Sequence, residues 1–273
     1  MTIATFAAAQ VLRVIPRVRL SQAVGRLCDA RVPAPLSRFA SSIYCRAYGV
    51  NMDEAAAQDG AYTSFDEFFT RKLRGGIRPL ADVAVVSPAD GKLEQIGPVT
   101  TGGHLTVKGS PYRVGELIGD EQEARRYEGG SFALVYLSPG DYHRVHSPVA
   151  GKLVLVRSLG GDLFPVNRIG ERHIPNLFVR NQRVALVIDT PNIGRVTLVM
   201  VGATIVGRIT VTALGGADTR PGVYPIEPPA PVAAGDEVGV FHLGSTAVLF
   251  VEPGTPIARD LGPIRYGQAL SSR

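Results

Sequence analysis

The feature that most constrains the fold is a series of short apolar runs that begins near residue 83 and continues almost to the C-terminus. Each run is rich in Val, Ile and Leu, and Gly, Pro or Asp residues separate it from the next. Such runs favour β-strands, and the residues between them favour turns. The predicted strands cover residues 83–86, 92–96, 104–107, 132–137, 152–156, 183–188, 195–201, 205–211, 237–241 and 246–251. Because few helical patterns separate them, the sequence predicts an α+β fold with a compact, mostly antiparallel β-rich body.

The basic charge of the chain is concentrated at its N-terminus. The whole chain has 29 Lys and Arg against 24 Asp and Glu, a formal net charge of +5. Residues 1–50 hold seven arginines, no lysine and one acid, Asp29, so this leader carries +6 and the remaining residues carry −1. A near-neutral body without a Lys/Arg-rich stripe argues against a nucleic-acid partner. The Arg-rich, acid-poor leader favours an anionic membrane surface instead.

Two amphipathic stretches make up the leader, separated by the sequence Pro-Ala-Pro at residues 33–35. In the second stretch, apolar residues recur every three to four positions, while polar and basic residues occupy another face. The apolar positions are Leu36, Phe39, Ile43 and Ala47, and the others are Arg38, Ser42 and Arg46. Such a helix either packs on the body or lies on a membrane, and the excess of arginine favours the membrane. No run of about 18 apolar residues is present, so a membrane-spanning helix is not expected.

A further helix is predicted where the leader meets the body. Ser64 and Glu67 have the spacing of a capping box, with Phe68, Phe69 and Leu73 as the apolar side, and the helix is expected to continue until the glycines at 75 and 76. We therefore assign residues 1–60 to a helical, membrane-associating leader and residues 61–273 to the body. Within the body, residues 221–231 contain five prolines and predict a rigid, exposed connection.

Three turn-rich segments of the body carry side chains suited to catalysis. Segment 87–91 (SPADG) contains Asp90, segment 141–148 (DYHRVHSP) contains His143 and His146, and segment 242–246 (HLGST) contains Ser245. Taken singly, Asp90 suits a turn, either histidine suits a core position, and Ser245 suits the start of a strand. Together they supply an acid, an imidazole and a hydroxyl, which is the set needed to activate a serine.

The chain order of these residues and the sequence around Ser245 limit the kinds of reaction that they could catalyse. The chain order is acid, histidine, serine, and no G-x-S-x-G pentapeptide is present, so the pattern does not suit an α/β-hydrolase. A Gly244-Ser245 peptide that opens a strand near the C-terminus suits attack by the serine on its own backbone. No metal site is predicted, because both cysteines lie in the leader and no histidine has supporting spacing. His104, His173 and His242 are interpreted as structural or surface residues.

The motifs SPADG, DYHRVHSPVAG and LGST resemble those of the phosphatidylserine decarboxylases, and LGST is the most specific. Residues 107–112 (VKGSPY), 201–204 (VGAT) and 68–73 (FFTRKL) extend the similarity, which runs in the same order from about residue 62 to residue 252. The basic helical leader also resembles the membrane-associated N-terminal part of that family.

The resemblance implies that the protein makes its own cofactor. The Ser245 hydroxyl attacks the carbonyl of Gly244, the resulting ester undergoes β-elimination, and hydrolysis leaves a covalent pyruvoyl group (pyruvate) on a new chain end. A β chain of residues 1–244 and an α chain of residues 245–273 remain associated. By match to the family's motifs, Asp90 and His146 activate Ser245. His143 either donates a proton during decarboxylation or positions the substrate carboxylate.

The implied reaction converts phosphatidylserine to phosphatidylethanolamine and CO2 through a Schiff base with the pyruvoyl group. The expected partners are phosphatidylserine, an anionic membrane surface and the second chain of the same precursor, in a heterodimer open to further dimerisation; nucleic acid is not expected. The expected location is the cytoplasmic side of a cell membrane, as a peripheral protein; the resemblance is to both bacterial and mitochondrial enzymes, and the lack of a predicted spanning helix favours the bacterial ones.

Two other functions remain open from the residues alone. The first is a serine hydrolase that uses Asp90, His146 and Ser245 on an external ester or amide without cutting itself. The second is a lipoyl-type carrier, suggested by residues 147–151 and 235–238, each of which has the pattern of a turn followed by a strand. In such a carrier Lys92 or Lys152 would have to be the attachment point for the carried group. Neither lysine has the sequence context expected of such a site. A family member that no longer matures is disfavoured, because every triad position is filled.

Overall fold

The computed structural model describes residues 17–166, 170, 173–204, 208–243 and 245–272. Its N-terminal part consists of helices α1 (Arg17–Asp29) and α2 (Ala34–Tyr48), with the predicted proline break between them. Helix α2 ends where Gly49 takes a left-handed φ of 67° and its N–H bonds to the Cys45 carbonyl. The helical leader is thus confirmed for the described residues, whereas residues 1–16 of the predicted leader lie outside them. None of the described helices is long and apolar enough to span a membrane.

Helix α3 (Phe65–Phe69) begins with the Ser64 half of the predicted capping box, while the Glu67 side chain bonds to the residue before the cap. The Ser64 hydroxyl accepts from the Glu67 N–H at 3.1 Å, and the Glu67 carboxylate accepts from the Thr63 N–H at 2.6 Å. The helix ends at Phe69, earlier than predicted. At the C-cap the Thr70 hydroxyl donates to the Asp66 carbonyl at 2.8 Å, and Leu73 pairs instead with Ala55 in an isolated bridge.

The body is built around an eight-stranded sheet, which confirms the antiparallel β-rich fold. The described strands are β1 (Gly91–Pro98), β2 (His104–Val107), β3 (Ser110–Arg113), β4 (Ser131–Leu137), β5 (Arg144–His146), β6 (Gly151–Leu159), β7 (Arg183–Asp189), β8 (Arg195–Val201), β9 (Ile209–Val211), β10 (Gly222–Val232), β11 (Glu237–Phe241), β12 (Ser245–Val251) and β13 (Gly262–Ile264). The strand order of the large sheet is β10-β6-β7-β8-β12-β4-β1-β13, and every neighbouring pair is antiparallel. A three-stranded sheet, β5-β11-β9, and the hairpin β2-β3 complete the body. Short helices α4 (Val114–Ile118), α5 (Glu121–Ala124) and α6 (Leu177–Arg180) lie in the connections.

Three parts of the predicted strand pattern were wrong or incomplete. Residues 83–86 form no strand, and only Val86 pairs, in a bridge with Ala269. Of residues 205–211, the described strand covers Ile209–Val211, and 205–207 lie outside the description. The proline-rich stretch is not a connection but the edge strand β10, paired only with β6. Proline lacks an N–H and is therefore tolerated where one side of a strand has no neighbour.

Strand β12 occupies a central position in the large sheet, between β4 and β8. Every residue of β12 is buried, and alternate side chains enter two different hydrophobic cores. Leu249 faces one core, and Val248 and Phe250 face the other. Burial of each such side chain stabilises the fold by about 1.5–3 kcal/mol. The strand that begins at Ser245 is therefore held firmly in the body.

Candidate active site

Ser245 lies at the first position of β12, opposite Leu137 on β4. Its side chain is almost fully buried, with 1% of the residue exposed, and its Oγ has no hydrogen-bond partner among the described residues. The residue lines a cavity of about 350 Å³ whose other walls include Tyr44, Phe69 and Leu243. A buried hydroxyl without a protein partner costs free energy, so Ser245 Oγ is a candidate for a reactive group.

Two residues before Ser245, the backbone adopts an unusual conformation. Leu243 has a φ of 92°, a region that residues other than glycine rarely occupy. Gly244, the predicted partner of Ser245 in the cut peptide bond, lies outside the described residues.

His146 ends β5, and both of its ring nitrogens are engaged. Nδ1 lies 2.7 Å from the Gly235 carbonyl and Nε2 lies 3.2 Å from the Tyr142 hydroxyl. A carbonyl only accepts, so Nδ1 carries the proton and Nε2 accepts from Tyr142. Burial lowers the pKa of His146, which favours the neutral imidazole, with a lone pair on Nε2.

Asp90 lies in the turn that precedes β1, where its carboxylate is held by two groups. The Arg78 guanidinium donates to Oδ2 at 2.6 Å, and the Tyr266 N–H donates to Oδ1 at 2.9 Å. Glu54 accepts from the same arginine at 2.5 Å. Burial lowers the pKa of Arg78, but the hydrogen bonds to these two carboxylates outweigh it and raise that pKa overall.

Tyr266 joins Asp90 to His146. Its backbone N–H contacts the carboxylate, while its ring stacks on the imidazole with centroids 3.8 Å apart and an interplanar angle of 7°. No hydrogen bond joins Asp90 directly to His146 within the described part of the chain, and none joins His146 to Ser245. The carboxylate acts on the imidazole through space, since its charge raises the pKa of His146 against the larger effect of burial.

His143 precedes β5 and is completely buried against the Phe69 ring, with centroids 4.2 Å apart. Its Nδ1 lies 2.8 Å from the Asp141 carbonyl and therefore carries the proton. Its Nε2 is buried and has no partner among the described residues. Burial lowers the pKa of His143 to about 3, so the ring is neutral at physiological pH. Phe69 touches this ring and also lines the cavity of Ser245.

Sequence reasoning missed several residues around these side chains. Tyr142, Arg78 and Tyr266 contact the proposed acid and base, and Arg71 lies in the same region. The match of residues 68–73 to a family motif was a signal for Arg71, whereas Tyr266 is 176 positions from Asp90 and no sequence pattern pointed to it.

His242 was interpreted as a structural or surface residue. Its Nδ1 lies 2.8 Å from Asp66 Oδ1 and 2.8 Å from Arg208 Nη2.

Comparisons with known proteins agree with this arrangement of motifs. A family model described as phosphatidylserine decarboxylase matches residues 65–272. A phosphatidylserine decarboxylase proenzyme of Anaeromyxobacter sp. (strain K) is 42% identical over 253 residues, covering 89% of this chain and 88% of the relative. Proenzymes of the same name from Acidovorax ebreus (strain TPSY), 40% identical with 95% of both chains covered, and from Bordetella petrii, 42% identical with 94% and 93% covered, match over a similar length. The chain is therefore an enzyme of the phosphatidylserine decarboxylase family.

Proposed function

We propose that the chain is a proenzyme that cuts itself at Gly244-Ser245, converts Ser245 to a pyruvoyl group and then decarboxylates phosphatidylserine to phosphatidylethanolamine and CO2. The observation that carries this proposal is the buried hydroxyl of Ser245, which has no hydrogen-bond partner among the described residues and lies at the start of a central strand, on the wall of a cavity. Most buried side-chain hydroxyls have a partner, which supports a reactive role for this one.

Self-cleavage begins when Ser245 Oγ attacks the Gly244 carbonyl carbon. The C–O bond forms, the C–N bond breaks, and the released amine takes up a proton, which leaves an ester. Loss of the Ser245 Cα proton then expels the Gly244 carboxylate, and hydrolysis of the dehydroalanine releases ammonia. The neutral His146 is the base for the hydroxyl proton, and Asp90 stabilises the imidazolium that results. Because Tyr142 occupies His146 Nε2, this step requires that hydrogen bond to be exchanged.

We assign decarboxylation to the pyruvoyl group and His143, in contrast to self-cleavage, which we assign to His146 and Asp90. When formed, the pyruvoyl group supplies a ketone that condenses with the substrate amine and accepts the electrons released with CO2. His143 Nε2 is buried and has no partner among the described residues, so this imidazole is the group that we assign to the return of a proton to Cα. Burial favours the neutral ring, which makes proton return from His143 favourable once the proton has been taken up.

The fold supports continued association of the two chains after cutting. Residues 245–273 are too few to form a core alone, but β12 pairs with β4 on one side and with β8 on the other. We therefore expect the α chain of residues 245–273 and the β chain of residues 1–244 to remain a heterodimer.

The leader supports a peripheral attachment to an anionic membrane, on the cytoplasmic face in a bacterial cell. Apolar side chains of α1 and α2 stay exposed, although other residues of these helices contact the body. The exposed set in these helices is Val18, Leu20, Leu27, Leu36, Phe39, Ile43 and Tyr48. Exposed apolar side chains on an Arg-rich helix are typical of segments that lie in a membrane interface.

The intact mass of the purified protein tests the proposal. We expect a fragment that begins at residue 245 and has a blocked, pyruvoyl end, together with the chain of residues 1–244. Ser245→Ala should abolish both the cut and the activity, whereas Ser42→Ala, which removes an exposed hydroxyl of α2, should cut normally. A hydrolase acting on an external ester would leave a single uncut chain, and that result with unmutated protein would refute the proposal.

A further inference from the structure

Arg71 is a buried cation that the mechanism above does not use. Only 5% of the residue is exposed, its Nε and Nη1 have no acceptor among the described residues, and Nη2 reaches only the Gly140 carbonyl at 3.4 Å. Burial lowers the pKa of Arg71, and within the described part of the chain no carboxylate forms an ion pair with it. Other buried arginines are satisfied: Arg78 pairs with Asp90, and Arg157 pairs with Asp120.

The acids nearest to Arg71 are already occupied. It lines a cavity of about 360 Å³ together with Glu54, Asp90 and Asp141. Glu54 and Asp90 accept from other groups, chiefly Arg78. Asp141 accepts from the Ser138 N–H at 2.6 Å, and burial raises its pKa. The cavity therefore retains a guanidinium with two unused N–H-bearing nitrogens and no anion assigned to it.

Arg71 also lies close to the proposed reaction site. Its charge lowers the pKa of His143 further, and it interacts electrostatically with Tyr44, which lines the cavity of Ser245. Its Nη2 contacts the Gly140 carbonyl at 3.4 Å, and the preceding residue, Pro139, lines the cavity of Ser245. An anionic group of a molecule in the Ser245 cavity would be within the electrostatic reach of Arg71.

Resting on the function proposed above, we propose that Arg71 binds the phosphodiester of the substrate headgroup. The planar guanidinium matches two phosphate oxygens end-on through Nη1 and Nη2, once the long 3.4 Å contact of Nη2 with the Gly140 carbonyl is given up. The carboxylate is the less suitable anion. A cation bound to the carboxylate would stabilise its negative charge, which must leave the carboxylate when neutral CO2 departs, and would therefore raise the barrier to decarboxylation. The phosphodiester keeps its charge throughout the reaction.

Calorimetric titration of the uncut Ser245→Ala chain tests this assignment without any decarboxylation. The ligands are glycerophosphoserine, glycerophosphoethanolamine, inorganic phosphate and L-serine. We expect both glycerophosphodiesters to bind, and L-serine to bind much more weakly. The assignment is overturned if L-serine binds as well as glycerophosphoserine while glycerophosphoethanolamine does not, or if inorganic phosphate binds more tightly than either phosphodiester.

Variants in the same Ser245→Ala background locate the site. Arg71→Gln should weaken both glycerophosphodiesters by at least about tenfold, as expected for loss of a hydrogen bond between charged groups. Arg74→Gln, which changes an exposed arginine three positions away, should have no effect. Equal binding by the Arg71→Gln and Arg74→Gln chains would refute the proposal. If Arg71→Gln does not fold, Arg71→Lys should retain the charge but lose the bidentate geometry and still bind more weakly. Failure of self-cleavage would appear only in the mass measurement, so the two proposals fail separately.

Discussion

At the scale of single residues, the two histidines of the DYHRVH segment differ in which nitrogen is available. His146 Nε2 is a base held by Tyr142, and His143 Nε2 is a buried acceptor without a described partner. His146→Ala should slow self-cleavage by at least about a hundredfold, the typical contribution of a general base. His143→Ala should still cut, but its decarboxylation rate should fall by on the order of a hundredfold for the same reason.

Mass spectrometry of the cut and measurement of released CO2 separate these two effects. His104→Ala is the matched control, because His104 is exposed on β2, and it should change neither rate. If His143→Ala failed to cut while His146→Ala cut normally, the roles assigned to the two rings would have to be exchanged.

At the scale of secondary structure, the start of β1 determines where Asp90 points. Gly91 follows Asp90 with a φ of 153°, and a Cβ there would lie 2.2 Å from the Tyr136 carbonyl oxygen on β4. Gly91→Ala should therefore force β1 away from β4. We expect it to lower the free energy of unfolding by roughly 1–3 kcal/mol, the usual cost of a strained backbone position, and to slow self-cleavage because Asp90 moves.

Thermal unfolding and the rate of the cut measure the two consequences of this substitution. Gly75→Ala is the control, since a Cβ at Gly75 meets no atom within 4 Å and its φ is not in the left-handed region. Equal stability and equal cutting of the Gly91→Ala and Gly75→Ala chains would show that the contact with β4 does not position the acid.

At the scale of the whole molecule, local sequence patterns predicted most strands of the large sheet, but they did not predict the strand order or the contacts between residues far apart in the chain. Continuous apolar runs indicated β4, β8 and β12, because strands buried on both faces are apolar at nearly every position. The proline-rich β10 was misread, since its tolerance of proline depends on its edge position, which only the strand order reveals. For the same reason the motifs indicated Asp90 and His146, while the intervening Tyr266 depends on a contact across 176 positions.

The division of the molecule into leader and body leads to a prediction about membrane binding. In α2, the inner face contacts the body, where Tyr44 packs edge-on against Phe68 with ring centroids 5.8 Å apart. The outer face leaves 63% of Phe39 and 50% of Ile43 exposed. If this face enters the bilayer interface, replacing both residues by serine removes two apolar side chains worth about 1.5–3 kcal/mol each when buried.

We therefore expect the double variant Phe39→Ser and Ile43→Ser to reduce binding to phosphatidylglycerol-containing vesicles by at least about tenfold in a sedimentation assay. The control replaces two apolar residues of the body that are equally exposed, Val223 and Leu261, at 60% and 59%, by serine. It should bind as the unmutated chain does. Binding should also weaken at high salt, because the leader's arginines attract the anionic surface through screened charges. If both double variants bound equally well, α2 would serve to pack against the body, and the basic leader would have to act on the membrane through residues other than this apolar face.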